Sequence, residues 1–249
     1  MTAVVFLHIP KTAGQSVHSE LARLIPADLV SPIRVHTQAN GDDAQLPAGY
    51  RLYSGHLDWT ELETVPEPRF AFTVLRDPLE RIASFYFYLL AKAETLSEDD
   101  LAQPHNTGMR VISTTSAEEY FFGGERPWQR FIRDHYDNVQ ATYLATGLMR
   151  GWPKVRNLTP DDLLAQAMKK SKRLQSIYSI KTLDRLEADL EPILGERPNI
   201  ATKRVNVGPE TNGKRWPQLA DRLGQDAAAR LATYADTDFR LLDKLGLDL

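Results

Sequence analysis

Four short apolar runs stand out from a chain whose other apolar positions recur at helical spacing. The first, Val4 to Leu7, is unbroken; the others are Tyr50 to Ser54, Phe70 to Leu75 and Ser176 to Ile180. Short runs rich in β-branched and aromatic residues read as strands. An unbroken one reads as a strand buried on both faces, as in a parallel sheet. After the first run, Val17, Leu21 and Leu24 repeat on one face of a helix. After the third, Asp77 reads as a helix cap, Pro78 as the first helical residue and Glu80 as the partner that completes a capping-box-like pair; that helix runs to about Lys92.

Further helices are predicted from Ser116 with Glu119, over Pro127 to Tyr136, and from Thr159-Pro160-Asp161-Asp162 to about Leu174. One more runs from Thr182 to just before Gly195, and a last helix or helix pair spans about Leu219 to Leu245. Residues 26 to 49 read as loop, with at most a weak strand at Val30 to Val35. Residues 60 to 69 read as a turn or short helix followed by a Pro-rich loop, and residues 94 to 117 as a helix-poor excursion. A long basic and polar loop, residues 199 to 217, holds Lys203, Arg204, Asn206, Lys214 and Arg215. Strands alternating with helices predict an α/β fold, a P-loop-like open parallel sheet flanked by helices with a mostly helical C-terminal half. No repeat, linker or low-complexity stretch divides the chain, so residues 1 to 249 are read as a single domain.

Ligands of open α/β sheets bind beyond the carboxyl ends of the strands. Lys11, His56 and Arg76 each fall just past a predicted strand. The Pro10-Lys11-Thr12-Ala13-Gly14-Gln15-Ser16 turn leads into a helix, so its unpaired amides and the helix dipole favour an anion. Gly14 permits close approach, Lys11 adds charge, and Thr12 and Ser16 add hydroxyls. It is not a Walker A loop, which places its lysine directly after the second glycine. Alone, this short pattern reads as a turn with a surface lysine. A second polar pair, Arg76 at a strand end and Ser84 two turns into the next helix, shifts the balance toward a phosphate site.

Composition narrows the partners. Net charge is −3, so no global basic field points to nucleic acid. With no cysteine there is neither a disulfide framework nor a thiol nucleophile. No apolar run approaches the roughly 20 residues of a membrane span. The first strand begins almost at Met1, so no signal peptide is expected and a cytoplasmic location is. The sequon at Asn157 then carries no weight, and Thr159 reads as a helix cap. No zinc or EF-hand pattern is present and no metal is expected; Asp99-Asp100 and Asp161-Asp162 read as helix starts. His8 is read as a buried, hydrogen-bonded residue, His18 as structural or surface. Phe85, Tyr86, Tyr88 and Leu89 read as core packing, with one ring able to line a ligand cleft instead.

The stretch Phe6 to Ser16 resembles the 5′-phosphosulfate loop of sulfotransferases, and Thr73 to Pro78 with Arg81 and Ser84 resembles their 3′-phosphate motif. The similarity is to the branch that includes heparan sulfate 2-O-sulfotransferases and small bacterial members, and covers about the first third of the chain. The resemblance implies 3′-phosphoadenosine 5′-phosphosulfate (PAPS) as sulfuryl donor and an acceptor hydroxyl on a small molecule or glycan. It implies that Lys11 contacts the leaving phosphate, that Thr12, Ala13, Gly14, Gln15 and Ser16 wrap the 5′-phosphate, and that Arg76 and Ser84 hold the 3′-phosphate. The Gly55-His56 pair implies His56 as catalytic base. Asn138 and Gln140 resemble an Asn-x-Gln stretch of bacterial relatives, though Ala141-Thr142 follows where Thr-Arg is common. The 203 to 215 loop lies where relatives close over the nucleotide, and the acceptor falls to residues 94 to 158. Eukaryotic relatives carry a membrane anchor; none is seen here. The competing classes are a nucleotide kinase or NTPase, which would want a Walker A lysine and a strand-end carboxylate, and a non-catalytic nucleotide-binding module, which would lose Lys11 or His56.

Overall fold

A computed structural model describes residues 1–39, 44–202 and 214–248. Its centre is a four-stranded, all-parallel sheet in the order β2-β1-β3-β4, built from β1 (Ala3–Leu7), β2 (Leu52–Gly55), β3 (Arg69–Leu75) and β4 (Ser176–Ser179). β1 is buried along its whole length, as its unbroken apolar run requires. Its side chains alternate between two cores. Val5 and Leu7 pack with helices α7 (Val139–Thr146), α9 (Pro160–Ser171) and α13 (Asp236–Lys244), whereas Val4 and Phe6 pack with α1 (Gly14–Leu24) and α10 (Leu183–Leu194). A third core joins α2 (Pro78–Ala93) to α4 (Thr107–Thr114), α5 (Ala117–Phe122), α6 (Arg126–Tyr136), α11 (Arg215–Leu223) and α12 (Gln225–Ala232). The chain is thus an open α/β sheet whose C-terminal half is mostly helical.

Beside β2, the weak strand expected at Val30 to Val35 is reduced to two isolated bridges, Val30 with Leu52 and Val35 with His56. Between them the backbone carries Arg34 and His36 along the outer edge toward the strand's carboxyl end. Among the described residues no helix is long and apolar enough to cross a membrane.

Three expectations need correction. Residues 94 to 117 are not helix-poor: α3 (Glu98–Ala102) starts at Ser97, whose hydroxyl accepts from the Asp100 amide at 3.2 Å, and α4 follows. Met109 and Ile112 bury against the third core, and it is this packing that stabilises a segment of weak intrinsic pattern. The C-terminal helix pair is in fact three helices, beginning earlier at Arg215. Finally, Asp77 caps α2 by accepting from the Glu80 amide at 2.9 Å, but Glu80 does not return the bond. Its carboxylate accepts instead from the amides of Arg215 and Trp216, each at 3.0 Å, and so caps α11. The pattern also left residues 139 to 146 unassigned. Every residue of α7 is buried, so no polar face marks its period.

The buried contacts of α4 set a test. Ile112→Ala should cost about 2–5 kcal/mol in urea unfolding, the usual penalty for emptying a packed aliphatic site; a solvated excursion would lose under about 0.5 kcal/mol.

Candidate active site

Three adjacent parallel strands end side by side, and each delivers one polar group just past its end: Lys11 after β1, His56 after β2 and Arg76 after β3. The loop after β1 is unusual backbone. Lys11 and Ala13, neither of them glycine, have φ of 74° and 64°. Left-handed conformations in L-residues are disfavoured and cluster where a site demands them. Buried Thr12 ties the loop down by donating its hydroxyl to the Ile9 carbonyl at 2.9 Å. Helix α1 opens at Gly14 without a side-chain cap, so its first amides face the loop. A methyl at Gly14 would come within 1.9 Å of the His8 ring, so only glycine fits. Ser16 is buried in the first turn and Gln15 is exposed.

Around this loop gathers positive charge. An Nη of Arg76 donates to the Lys11 carbonyl at 3.2 Å, and its other Nη lies 3.7 Å from Glu80. Arg215 donates to the Ser84 hydroxyl at 3.0 Å. Arg76 and Ser84 are therefore joined through Glu80 and Arg215, so that Arg215, noted above as part of the basic loop, adds a third cation here. Burial, then the neighbouring Arg215 and Arg76, lower the Lys11 ammonium to about 8. That ammonium rests 4.1 Å from the Tyr88 ring centroid, and Tyr88, 44% exposed, is no core residue as its stretch suggested. Lys203, Arg204 and Asn206 of the basic loop lie outside the described residues.

His56 stands beside this cluster. Its Nδ1 bonds the His8 carbonyl at 2.8 Å; a carbonyl can only accept, so Nδ1 carries the proton and the Nε2 lone pair is left to take another. Burial, and then the neighbouring Arg34, His36 and Lys11, hold its basicity below the ordinary histidine value, against the opposing pull of the His8 bond. The ring is neutral at pH 7. The backbone is fixed on both sides, with the His56 amide donating to Arg34 at 2.8 Å and the His36 amide donating to the His56 carbonyl at 2.7 Å.

His8 departs from expectation. It stacks between Phe6 and His56, at centroid distances of 5.4 and 4.3 Å, and its Nε2 is shielded without a hydrogen-bond partner among the described residues. Arg34 Nε and both ring nitrogens of His36 share that condition. His18 is structural: an Arg34 Nη donates to its Nε2, and its Nδ1 donates to Ser54 at 3.1 Å. Burial, with Arg34 second, lowers it to about 4. Nothing in the sequence marked Arg34 or His36, because their approach depends on the irregular edge of β2. Among the described residues no group of three His, Cys, Asp or Glu side chains could hold a metal ion.

The depressed histidines give a signed prediction. His8, His18, His36, His56 and His135 all bind protons more weakly in the fold than in the unfolded chain. Through these rings the unfolded state takes up more protons as pH drops below about 6.5, and stability should fall in that direction, offset in part by buried Asp238, which is raised to about 6 and takes a proton in the fold. Each fully shielded ring contributes up to about 1.4 kcal/mol per pH unit. Urea midpoints between pH 7.5 and 5 should fall steadily, and His135→Phe, which removes one such ring, should flatten the slope. A comparison with family models and with curated proteins finds no match for this chain.

Proposed function

We propose that this chain is a sulfotransferase that moves the sulfuryl group of PAPS to an acceptor hydroxyl. The observation that supports this most directly is the placement, past neighbouring strand ends, of a neutral imidazole whose Nε2 has no partner among the described residues beside Lys11 and Arg76, with Arg215 brought in from a helix and only Glu80 and Asp77 opposing the three cations among the described residues. The first suits removal of a hydroxyl proton, the second a nucleotide bearing several anionic groups.

In this reading the acceptor oxygen attacks sulfur while its proton passes to His56 Nε2. The bond from sulfur to the 5′-phosphate oxygen breaks, and adenosine 3′,5′-bisphosphate leaves. Lys11 and the open amides of α1 stabilise the charge that gathers on the departing oxygen. Lys11 leaves the Tyr88 ring to do so. Arg76, with Ser84 and Arg215, receives the 3′-phosphate, for which the planar guanidinium is suited. A Mg²⁺-dependent kinase or NTPase is less well supported. The acidic groups near these strand ends are engaged by backbone amides: Asp58 by Met149, Asp77 by Glu80, and Glu80 by Arg215 and Trp216.

Radiolabelled transfer from PAPS to a panel of hydroxyl acceptors is the direct test. Lys11→Ala should retain the fold and lose about 10²–10³ in rate, as when one preorganised donor to a developing anion is removed. Near-normal turnover in that variant rejects the role, and turnover with ATP in place of PAPS rejects the donor.

Protonation supplies a second test. Anion binding needs protonated Lys11, which titrates at about 8 in the free protein. Affinity for adenosine 3′,5′-bisphosphate should hold up to pH 7.5 and then fall, approaching tenfold per unit, and Lys11→Met should abolish that fall. On the acid side, kcat/KM should drop only below the pH range in which an ordinary histidine titrates, because His56 is held less basic than a free imidazole.

A further inference from the structure

The peptide at which β3 becomes loop is held by a side chain, not by a neighbouring strand. The Arg76 amide donates to Gln140 Oε1 at 2.9 Å, and Gln140 Nε2 donates to the Arg76 carbonyl at 2.9 Å. Only this orientation of the side-chain amide satisfies both groups. Gln140, on α7, is fully buried and acts as one extra peptide of sheet pairing for a residue that no strand reaches. β1 pairs with β3 as far as Phe72, and β4 as far as Leu75.

Gln140 is itself fixed from the far end of the chain. Its own amide and that of Ala141 donate to the Asp238 carboxylate at 3.2 and 2.7 Å, while the Thr237 and Asp238 amides donate to Asn138 Oδ1 at 2.7 and 3.1 Å. The N-termini of α7 and α13 thus cap each other. This exchange holds Asn138 in a left-handed conformation, φ 44°, that an asparagine tolerates. Among the described residues the guanidinium of Arg76, by contrast, meets the Lys11 carbonyl and a 3.7 Å approach of Glu80, and its shielded Nε has no partner there. Its aim is set from the backbone.

We infer that Gln140 is the positioning residue for Arg76: its two-point clamp, anchored through the crossed caps of Asn138 and Asp238, orients the Arg76 guanidinium toward the bound anion. The consequence for a 3′-phosphate rests on the functional reading above; the clamp itself does not.

The test uses Gln140→Met, which keeps the length of the side chain and removes both bonds, and Gln140→Glu, which keeps only the acceptor. Two readouts are taken. One is the ¹⁵N resonances of Arg76, amide and Nε, identified by their loss in Arg76→Lys. The other is the ratio of affinities for adenosine 3′,5′-bisphosphate and adenosine 5′-monophosphate. In Gln140→Met both Arg76 resonances should move, and the preference for the bisphosphate should drop about tenfold with 5′-monophosphate affinity changed less than twofold. Gln140→Glu should move the same resonances, and it carries the test should the Met variant not fold. Unmoved Arg76 resonances in a folded variant overturn the clamp. So does an equal loss of affinity for both nucleotides, which signals a general structural role. If the resonances move but the native protein shows no preference for the bisphosphate, the clamp stands and the 3′-phosphate reading falls.

Discussion

Like charges held together away from water are the constraint on which this architecture depends. Lys11 and Arg76 come from separate strands and Arg215 from a distant helix, yet the two arginines lie close enough to Lys11 to lower its basicity. Water would separate such groups; only covalent attachment to a rigid frame keeps them near one another. The frame is visible residue by residue. Thr12 is tied to Ile9, Arg76 is gripped by Gln140, and Arg215 is set by the caps that Glu80 gives to its own amide and the next. Two left-handed residues in the loop after β1 add conformational cost at the same place. In the function proposed here, a multivalent anion bound at that edge would relieve the repulsion that folding imposes there.

What the sequence showed of this arrangement, and what it hid, divides along contact range. An unbroken apolar run is a local signal, so the strands and their polar ends were legible, and with them Lys11, His56 and Arg76. Helix starts at Asp77, Ser116 and Thr159 have side-chain oxygens that accept from an amide three residues on, a relation contained in four consecutive letters. Glu80 obeyed the letters of the same rule and broke it in space. A more demanding partner, the exposed start of a helix 135 residues away, took its carboxylate. Asn138, Gln140, Asp238 and Arg215 all act across comparable separations, and no periodicity encodes such pairings. Helix α7 was hidden for a different reason. Its burial on every side erases the polar stripe by which a helix is recognised, and the same burial makes it the element able to carry Gln140 to the strand end.

The cation cluster also bears on the imidazole beside it. Burial, and after it neighbouring charge, lowers the basicity of His56, so the ring is neutral at pH 7. The same two causes lower Lys11, but only to about 8, because an ammonium starts from a much higher value. A single environment thus leaves one group unprotonated and the other protonated across the interval between them. In the proposed reaction the first must accept a proton and the second must carry one, and no separate tuning of either is needed. An acidic residue placed against His56 would raise its basicity and close the interval from below; what flanks it is Arg34, His36 and Lys11, with the His8 carbonyl fixing the tautomer. Burial, with neighbouring cations second to it, lowers both groups together, so in the proposed reaction base and cation keep complementary protonation states although each is less basic than in water.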